Sequence, residues 1–262
     1  EHFRVMLDDR DRPVDDATRD ARRDALLEVT ERVAPHLVLT ELFPFGRRHL
    51  RGEIIPMIEA ARAQAQPAAI VSSVRDILVE PSKKERGPEM VAMVQRYFDL
   101  VLVHGDPALI PFERTFPLAH AIADRLRYTG YVVDPPPQDA VARGLGRDEV
   151  IVSAGGGALS EPLLSAAIAA RPFTALSNHT WRLLAGPSLP PDAYQRLRAL
   201  SGDAPGIVLE RARPDFTALL ANCTLSISQG GYNTVMDVLA AKVRAVIAPY
   251  AGGKETEQTE RA

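Results

Sequence analysis

The stretch "SISQGGYNTVMD" (residues 226–237) reads as the end of a strand, a tight Gly-Gly turn and a helix with an acid in its second turn. Asn233 and Thr234 fall at the start of that helix, where side chains or backbone N–H groups can meet a phosphate. Asp237 lies one turn on, and a carboxylate there can accept two hydrogen bonds from a vicinal diol such as a ribose. The plainer alternative is a well-capped helix in which Asp237 complements the dipole.

A second strand–glycine–helix passage lies upstream. "SAGGGAL" (153–159) separates an apolar run from a helical pattern, and its glycines let backbone N–H groups approach an anion. It matches neither the dinucleotide fingerprint nor the P-loop, so a tight turn and a ligand loop both remain open for it. A third passage, "PYAGGKETEQTERA" (249–262), runs from a strand end through a glycine turn into a polar helix start. There Glu257 and Gln258 offer acceptors and donors suited to sugar hydroxyls, against the alternative of a solvated helix face.

These passages belong to a regular alternation. Strands are expected at "HLVLT" (36–40), "AAIVSS" (68–73), "LVLVHG" (100–105) and "YTGYVV" (128–133), with helices over 18–33, 51–65 and 88–97. The first helix carries Ala21, Ala25, Val29 and Val33 as one apolar stripe, and Pro56 should kink the second or mark its start. "DPPPQD" (134–139) is a stiff connector. Beyond it come strands at "EVIVS", "FTALS" (173–177), "WRLLAG" (181–186), "GIVLE", "LSIS" and "AVIAPY", with helices at "LSEPLLSAAIAA" (159–170), "PDFTALLANC" (214–223) and "TVMDVLAAK" (234–242). Such alternation implies an α/β protein of two parallel-sheet domains, 1–134 and 138–262, with a cleft between them and ligands beyond the carboxyl ends of the strands.

Composition narrows the function. Of 262 residues, 31 are Lys or Arg and 34 Asp or Glu, a net charge of −3 that gives no footprint for nucleic acid. The single cysteine excludes an internal disulfide and, with no signal or spanning segment in view, fits a cytoplasmic setting. "DDRD" (8–11) resembles an Asp-x-Asp metal site but lacks the preceding strand, so a solvated turn is expected and no metal or cofactor is implied. On the first domain, Glu41 follows a strand and could act as base, while Arg47, Arg48, Arg51 and Arg75 could bind an anionic acceptor. The alternatives there are an exposed loop over buried Phe43 and Phe45, and an Arg75–Asp76 ion pair. His104, at another strand end, is a reserve candidate for the base.

The block 213–262 resembles the carboxyl-terminal half of the GT-B glycosyltransferases, most of all those of family 28, typified by the N-acetylglucosaminyl transferase of lipid II synthesis. The resemblance implies two Rossmann-like domains, with a nucleotide-diphosphate sugar, UDP-linked by preference, held mainly by the second. Gly155, Gly156, Gly157 and Ala158 would face the donor phosphates, the main chain around Arg213 the base, and Gln229, Gly230, Gly231, Asn233 and Thr234 the α-phosphate. Asp237 stands where the family has a longer ribose-binding Glu, and Glu257 and Gln258 match its sugar-gripping pair. "ELFPFGRRHLRGEIIPMIEAAR" (41–62) and "SVRDILVEPSKKE" (73–85) resemble a bacterial branch of predicted glycosyltransferases, without residue roles.

The family's first glycine loop, with the usual base, is expected before Glu1, and its closing helices after Ala262. A lipid-linked acceptor would bring the patch 43–51 to a membrane surface. A nucleotide-sugar epimerase on the same fold, or a donor-binding subunit needing a partner chain for catalysis, are the alternative functions.

Overall fold

The computed structural model describes residues 6–8, 10, 12–78, 85–155, 160–202, 204–250, 252 and 257–262. The chain divides into two compact units, Glu1–Tyr131 and Val132–Ala262. Among the described residues no helix is long and apolar enough to cross a membrane.

In the first unit, β1 (Leu37–Glu41), β2 (Ala69–Arg75), β3 (Leu100–His104) and β4 (Leu126–Tyr128) form a parallel sheet in the order β1-β2-β3-β4. Helices α1 (Asp16–Val33), α2 (Arg51–Arg62) and α3 (Arg86–Tyr97) connect or precede them. Asp15 caps α1 by accepting from the N–H of Thr18 at 2.8 Å. Pro56 lies inside α2, where it leaves one carbonyl without its helical donor, yet the helix runs on to Arg62. Phe43, Ile58, Ile70, Phe98 and Phe112 fill the core, and Phe45 meets the Phe116 ring edge-on at 5.2 Å between centroids.

Two expectations for this unit fail. The stripe on α1 faces outward: Ala21 and Ala25 are exposed, and so are Val29 and Val33. The inward side of α1 carries buried Thr30 and half-buried Leu26 and Leu27, and Arg22 at its edge grips Glu53 of α2 through three hydrogen bonds of 3.0–3.2 Å. The fourth strand is β4, which overlaps "YTGYVV" only at Tyr128. Gly130, at φ +72°, then turns the chain out of the sheet, and Pro135, Pro136 and Pro137 have no N–H to pair.

The second unit has a five-stranded parallel sheet in the order β7-β6-β5-β8-β9. Its strands are β5 (Glu149–Ser153), β6 (Thr180–Ala185), β7 (Ile207–Arg211), β8 (Leu225–Ser228) and β9 (Ala245–Ile247). The helices are α4 (Gln138–Ala142), α5 (Glu161–Ala170), α6 (Pro191–Ser201), α7 (Phe216–Asn222), α8 (Tyr232–Ala241) and α9 (Glu257–Arg261). Val150, Ile151 and Val152 of β5 are fully buried between helices on the two faces, as a central parallel strand requires.

"FTALS" is not a strand. Residues 171–173 form a 3₁₀ turn, Thr174 bonds back to the Arg171 carbonyl at 3.0 Å, and Phe173 is 90% exposed. The strand position is taken by β6. Between β6 and β7 stands α6, unread in the sequence; two parallel neighbours need such a crossover. Its buried Ala193 and Leu197 are spaced i, i+4.

Cys223 follows α7 half-buried, its Sγ 3.4 Å from the Leu220 carbonyl, and burial pushes the thiol pKa from 9.0 to about 11. The thiolate is the reactive form, so at pH 8 native Cys223 should alkylate with iodoacetamide about 100-fold more slowly than an unperturbed thiol. Mass spectrometry with and without urea checks this: equal rates in both conditions would contradict the burial.

Candidate functional site

The order of the second sheet reverses at β5. From β5 the chain moves outward to β6 and β7, then returns to the other side of β5 as β8, and continues to β9. Ser153 and Ser228, the last residues of β5 and β8, are partners in the register. The turns that leave these two strands therefore emerge side by side at the carboxyl edge of the sheet, at a topological switch point.

Gly155 opens the first turn at φ +68°, a left-handed conformation that disfavours a side chain, and its N–H lies 3.4 Å from Ser153 Oγ. A Cβ at Gly155 would lie 3.9 Å from Oγ1 of Thr234 in the first turn of α8, so the two turns lie side by side. Gly156, Gly157 and Ala158 lie outside the described residues.

Helix α8 begins at Tyr232, one residue before Asn233. Its N-cap is Gly231, and no side chain among the described residues caps it. The N–H groups of the first turn point out of the helix end with the positive end of its dipole. Among the described residues, a Cβ on Gly231 would meet nothing within 4 Å. Gly230 is the opposite case: it is buried, and a Cβ there would lie 2.7 Å from the Gln258 carbonyl. The third glycine passage thus packs its helix, α9, directly against the second.

Arg261, which the sequence reading passed over, secures that contact. Its side chain is 3% exposed, donates to the Gly230 carbonyl at 2.8 Å, pairs with Glu257 at 2.8 Å and lies over the Tyr232 ring. An arginine i+4 from an acid on a polar helix reads as a surface pair, which hid this role. Gln258 Oε1 accepts from the N–H of Tyr250 at 3.0 Å. Glu257 and Gln258 are both placed beside the turn, with these atoms engaged in holding it.

Asp237 is half-buried one turn into α8. Burial first, and then the negative charge of Asp134, raise its pKa above the ordinary carboxylate value. Arg213 follows β7, its guanidinium forked onto Asp215 with two bonds of 2.7 Å; Gln229 links β8 to the glycines.

On the first unit, Glu41 ends β1, residues 48–50 form a 3₁₀ turn and Arg51 opens α2. Phe43 and Phe45, the aromatic residues of the patch 43–51, are in the core. Glu41 is paired with Arg47 at 2.9 Å, and Arg48 and Arg51 both hold Glu89 at 2.8 Å. Arg75 is exposed at the end of β2, and His104, half-buried at the end of β3, bonds to Ser73 and Thr129. Asp8 turns back onto Arg12, and no cluster of metal-ligating side chains occurs among the described residues.

No family model matches the chain, and no curated protein matches its sequence. Solved structures do match. MurG from Acinetobacter baumannii is 15% identical with a TM-score of 0.53, over 98% of this chain and 65% of that one. A putative UDP-N-acetylglucosamine 2-epimerase from Listeria monocytogenes is 11% identical with a TM-score of 0.59, over 95% of this chain and 68% of that one. Phytolacca americana UGT2, complexed with UDP-2-fluoro-glucose and pterostilbene, is 12% identical with a TM-score of 0.56, over 94% and 64%. The fold is that of the GT-B class: α/β, with two parallel-sheet units. The chain spans about 65% of the length of MurG.

The two adjacent glycines should respond oppositely. Gly230→Ala forces the α9 backbone away and should cost about 1–3 kcal/mol of stability, whereas Gly231→Ala should change it by no more than about 0.5 kcal/mol. Urea unfolding of both variants checks the contrast; an undiminished Gly230→Ala protein would contradict the packing of α9 on the turn.

Proposed function

We propose that this chain is part of a glycosyltransferase that moves a sugar from a nucleotide-diphosphate donor, UDP-linked by preference, to an acceptor hydroxyl. One observation carries the reading: the Gly155 turn and the start of α8 lie side by side at the switch point of the second sheet. Backbone N–H groups and a helix end favour negative charge there, and they can stabilise a departing diphosphate without a metal. In this reading the turn 229–234 holds the phosphates and Asp237 accepts from the ribose hydroxyls. The main chain at Arg213 meets the base, and Glu257 and Gln258 lie against the sugar. Support for a nucleotide-sugar ligand comes from the fold shared with UGT2, whose structure holds a UDP sugar.

The engaged arginines alter the acceptor side. Binding an anionic acceptor at Arg48 or Arg51 would have to displace Glu89, and binding one at Arg47 would have to displace Glu41. A second reading, a nucleotide-sugar epimerase, is favoured by the likeness to the Listeria protein. Product analysis with no acceptor present separates the two: an epimerase alters the donor sugar, and a transferase does not.

Asp237→Ala should weaken UDP binding about 10- to 100-fold, the loss of one or two hydrogen bonds to an ionised group. It should leave binding of inorganic pyrophosphate, which has no ribose, unchanged. Calorimetric titration of both ligands decides it, and equal losses would remove the ribose role.

A further inference from the structure

Three side chains from three neighbouring strands form a hydrogen-bonded row at the carboxyl edge of the first sheet. Ser73 Oγ, on β2, lies 2.7 Å from Nε2 of His104, the last residue of β3. His104 Nδ1 lies 2.8 Å from Oγ1 of Thr129, just beyond β4. The parallel register makes this possible. His104 stands opposite Arg75, two residues past Ser73, and the Thr129 N–H closes onto the Val103 carbonyl.

The proton inventory of the row fixes its direction. The single Thr129 hydroxyl proton points to carbonyls, that of Gly130 at 2.9 Å and that of Val103 at 3.4 Å. Oγ1 of Thr129 is then an acceptor, so Nδ1 of His104 carries the ring proton. Nε2 is left with its lone pair, and the Ser73 hydroxyl donates to it. The lone pairs of half-buried Ser73 Oγ can accept from a further hydroxyl.

We propose that Ser73 and His104 form the proton relay of the acceptor hydroxyl, with Ser73 as the group in contact and His104 acting through it; this rests on the transferase reading above. In the reacting step the acceptor O–H bond breaks and its proton passes to Ser73 Oγ. The Ser73 proton passes to Nε2 of His104, giving imidazolium. The acceptor oxygen bonds to the anomeric carbon as the bond from that carbon to the diphosphate oxygen breaks, and the electron pair leaves with the nucleoside diphosphate. Burial lowers the His104 pKa, so the imidazole is in its accepting form at neutral pH. The ionisable groups at the neighbouring strand ends are Glu41, the register partner of Ser73 on β1, Arg75, the last residue of β2, Asp76 after it, and Asp106 after β3. The relay places a base on the first unit from residues within this chain.

The test uses the full-length protein and two readouts. Nitrogen-15 imidazole spectra at pH 7.5 should show His104 as the neutral Nδ1–H tautomer; an Nε2–H tautomer overturns the relay whatever the activity. UDP release from UDP-N-acetylglucosamine, with water as acceptor, should fall on acidification as Nε2 takes up its proton. His104→Gln and Ser73→Ala should lower that release about 100-fold, His104→Gln should abolish the acid limb, and Ser73→Thr should restore most of the rate. UDP binding should be unchanged in all three. If the wild-type protein binds and releases UDP while His104→Gln keeps the acid limb, the relay alone is wrong. If the wild type neither binds nor releases UDP, the transferase reading falls and takes the relay with it.

Discussion

The pairing of β5 with β8 is the constraint on which the second unit depends. A parallel strand cannot be followed directly by its neighbour, so each crossover delivers a helix to one face of the sheet. Placing β8 on the far side of β5 from β6 sends successive crossovers in opposite directions and leaves their turns adjacent at one edge. The burial of Ser226 and Ser228 on β8, like that of Val150 to Val152 on β5, shows how tightly this pair is enclosed. The enclosure fixes where the glycine turns emerge. Gly155 then supplies a positive φ, Gly230 the close approach of α9, and Gly231, among the described residues, an open face.

Much of this was legible in the chain itself. Short Val, Ile and Leu runs ending in glycine turns mark β5, β8 and the helices after them, because a buried parallel strand needs apolar side chains on both faces. The runs fail as guides where burial is one-sided or absent. "FTALS" has strand-like composition, yet the turn bonds of residues 171–179 and the exposure of Phe173 remove it from the sheet. The alanine and valine stripe of α1 has helical spacing, but Leu26, Leu27 and Thr30 form the inward face. Helix α6 was missed because its polar sequence opens on a double proline, 190–191, which reads as a loop unless the need for a crossover is applied first.

The site was less legible than the fold, for a reason visible in Arg261 and Gln258. Residue type and spacing showed groups that could touch a ligand. They did not show that Arg261 holds the Gly230 carbonyl or that Gln258 holds the Tyr250 N–H, since those partners are distant in sequence. The same holds on the first unit. The run of arginines from 47 to 51 suggested an anion site, and pairing with Glu41 and Glu89 answers most of its charge locally. Such exposed pairs contribute little to stability, typically about 0–1 kcal/mol each, but they set what a ligand must displace.

The electrostatics of α8 also order the parts of the proposed donor. Asp237 sits in a place where its own charge is disfavoured, by burial first and then by Asp134. A phosphate there would add a third negative charge to the same neighbourhood. Hydroxyl donors do the reverse, since each hydrogen bond to the carboxylate stabilises its ionised form. The end of the helix, nearly two turns away at Gly231, has N–H donors and the positive end of the dipole. A ligand that is anionic at one end and carries a diol further along the helix matches this sequence of potentials. The reverse orientation sets like charges together at Asp237 and leaves the helix end facing hydroxyls. For the proposed donor, the direction of the nucleotide along α8 would therefore follow from the field of two carboxylates and one helix terminus.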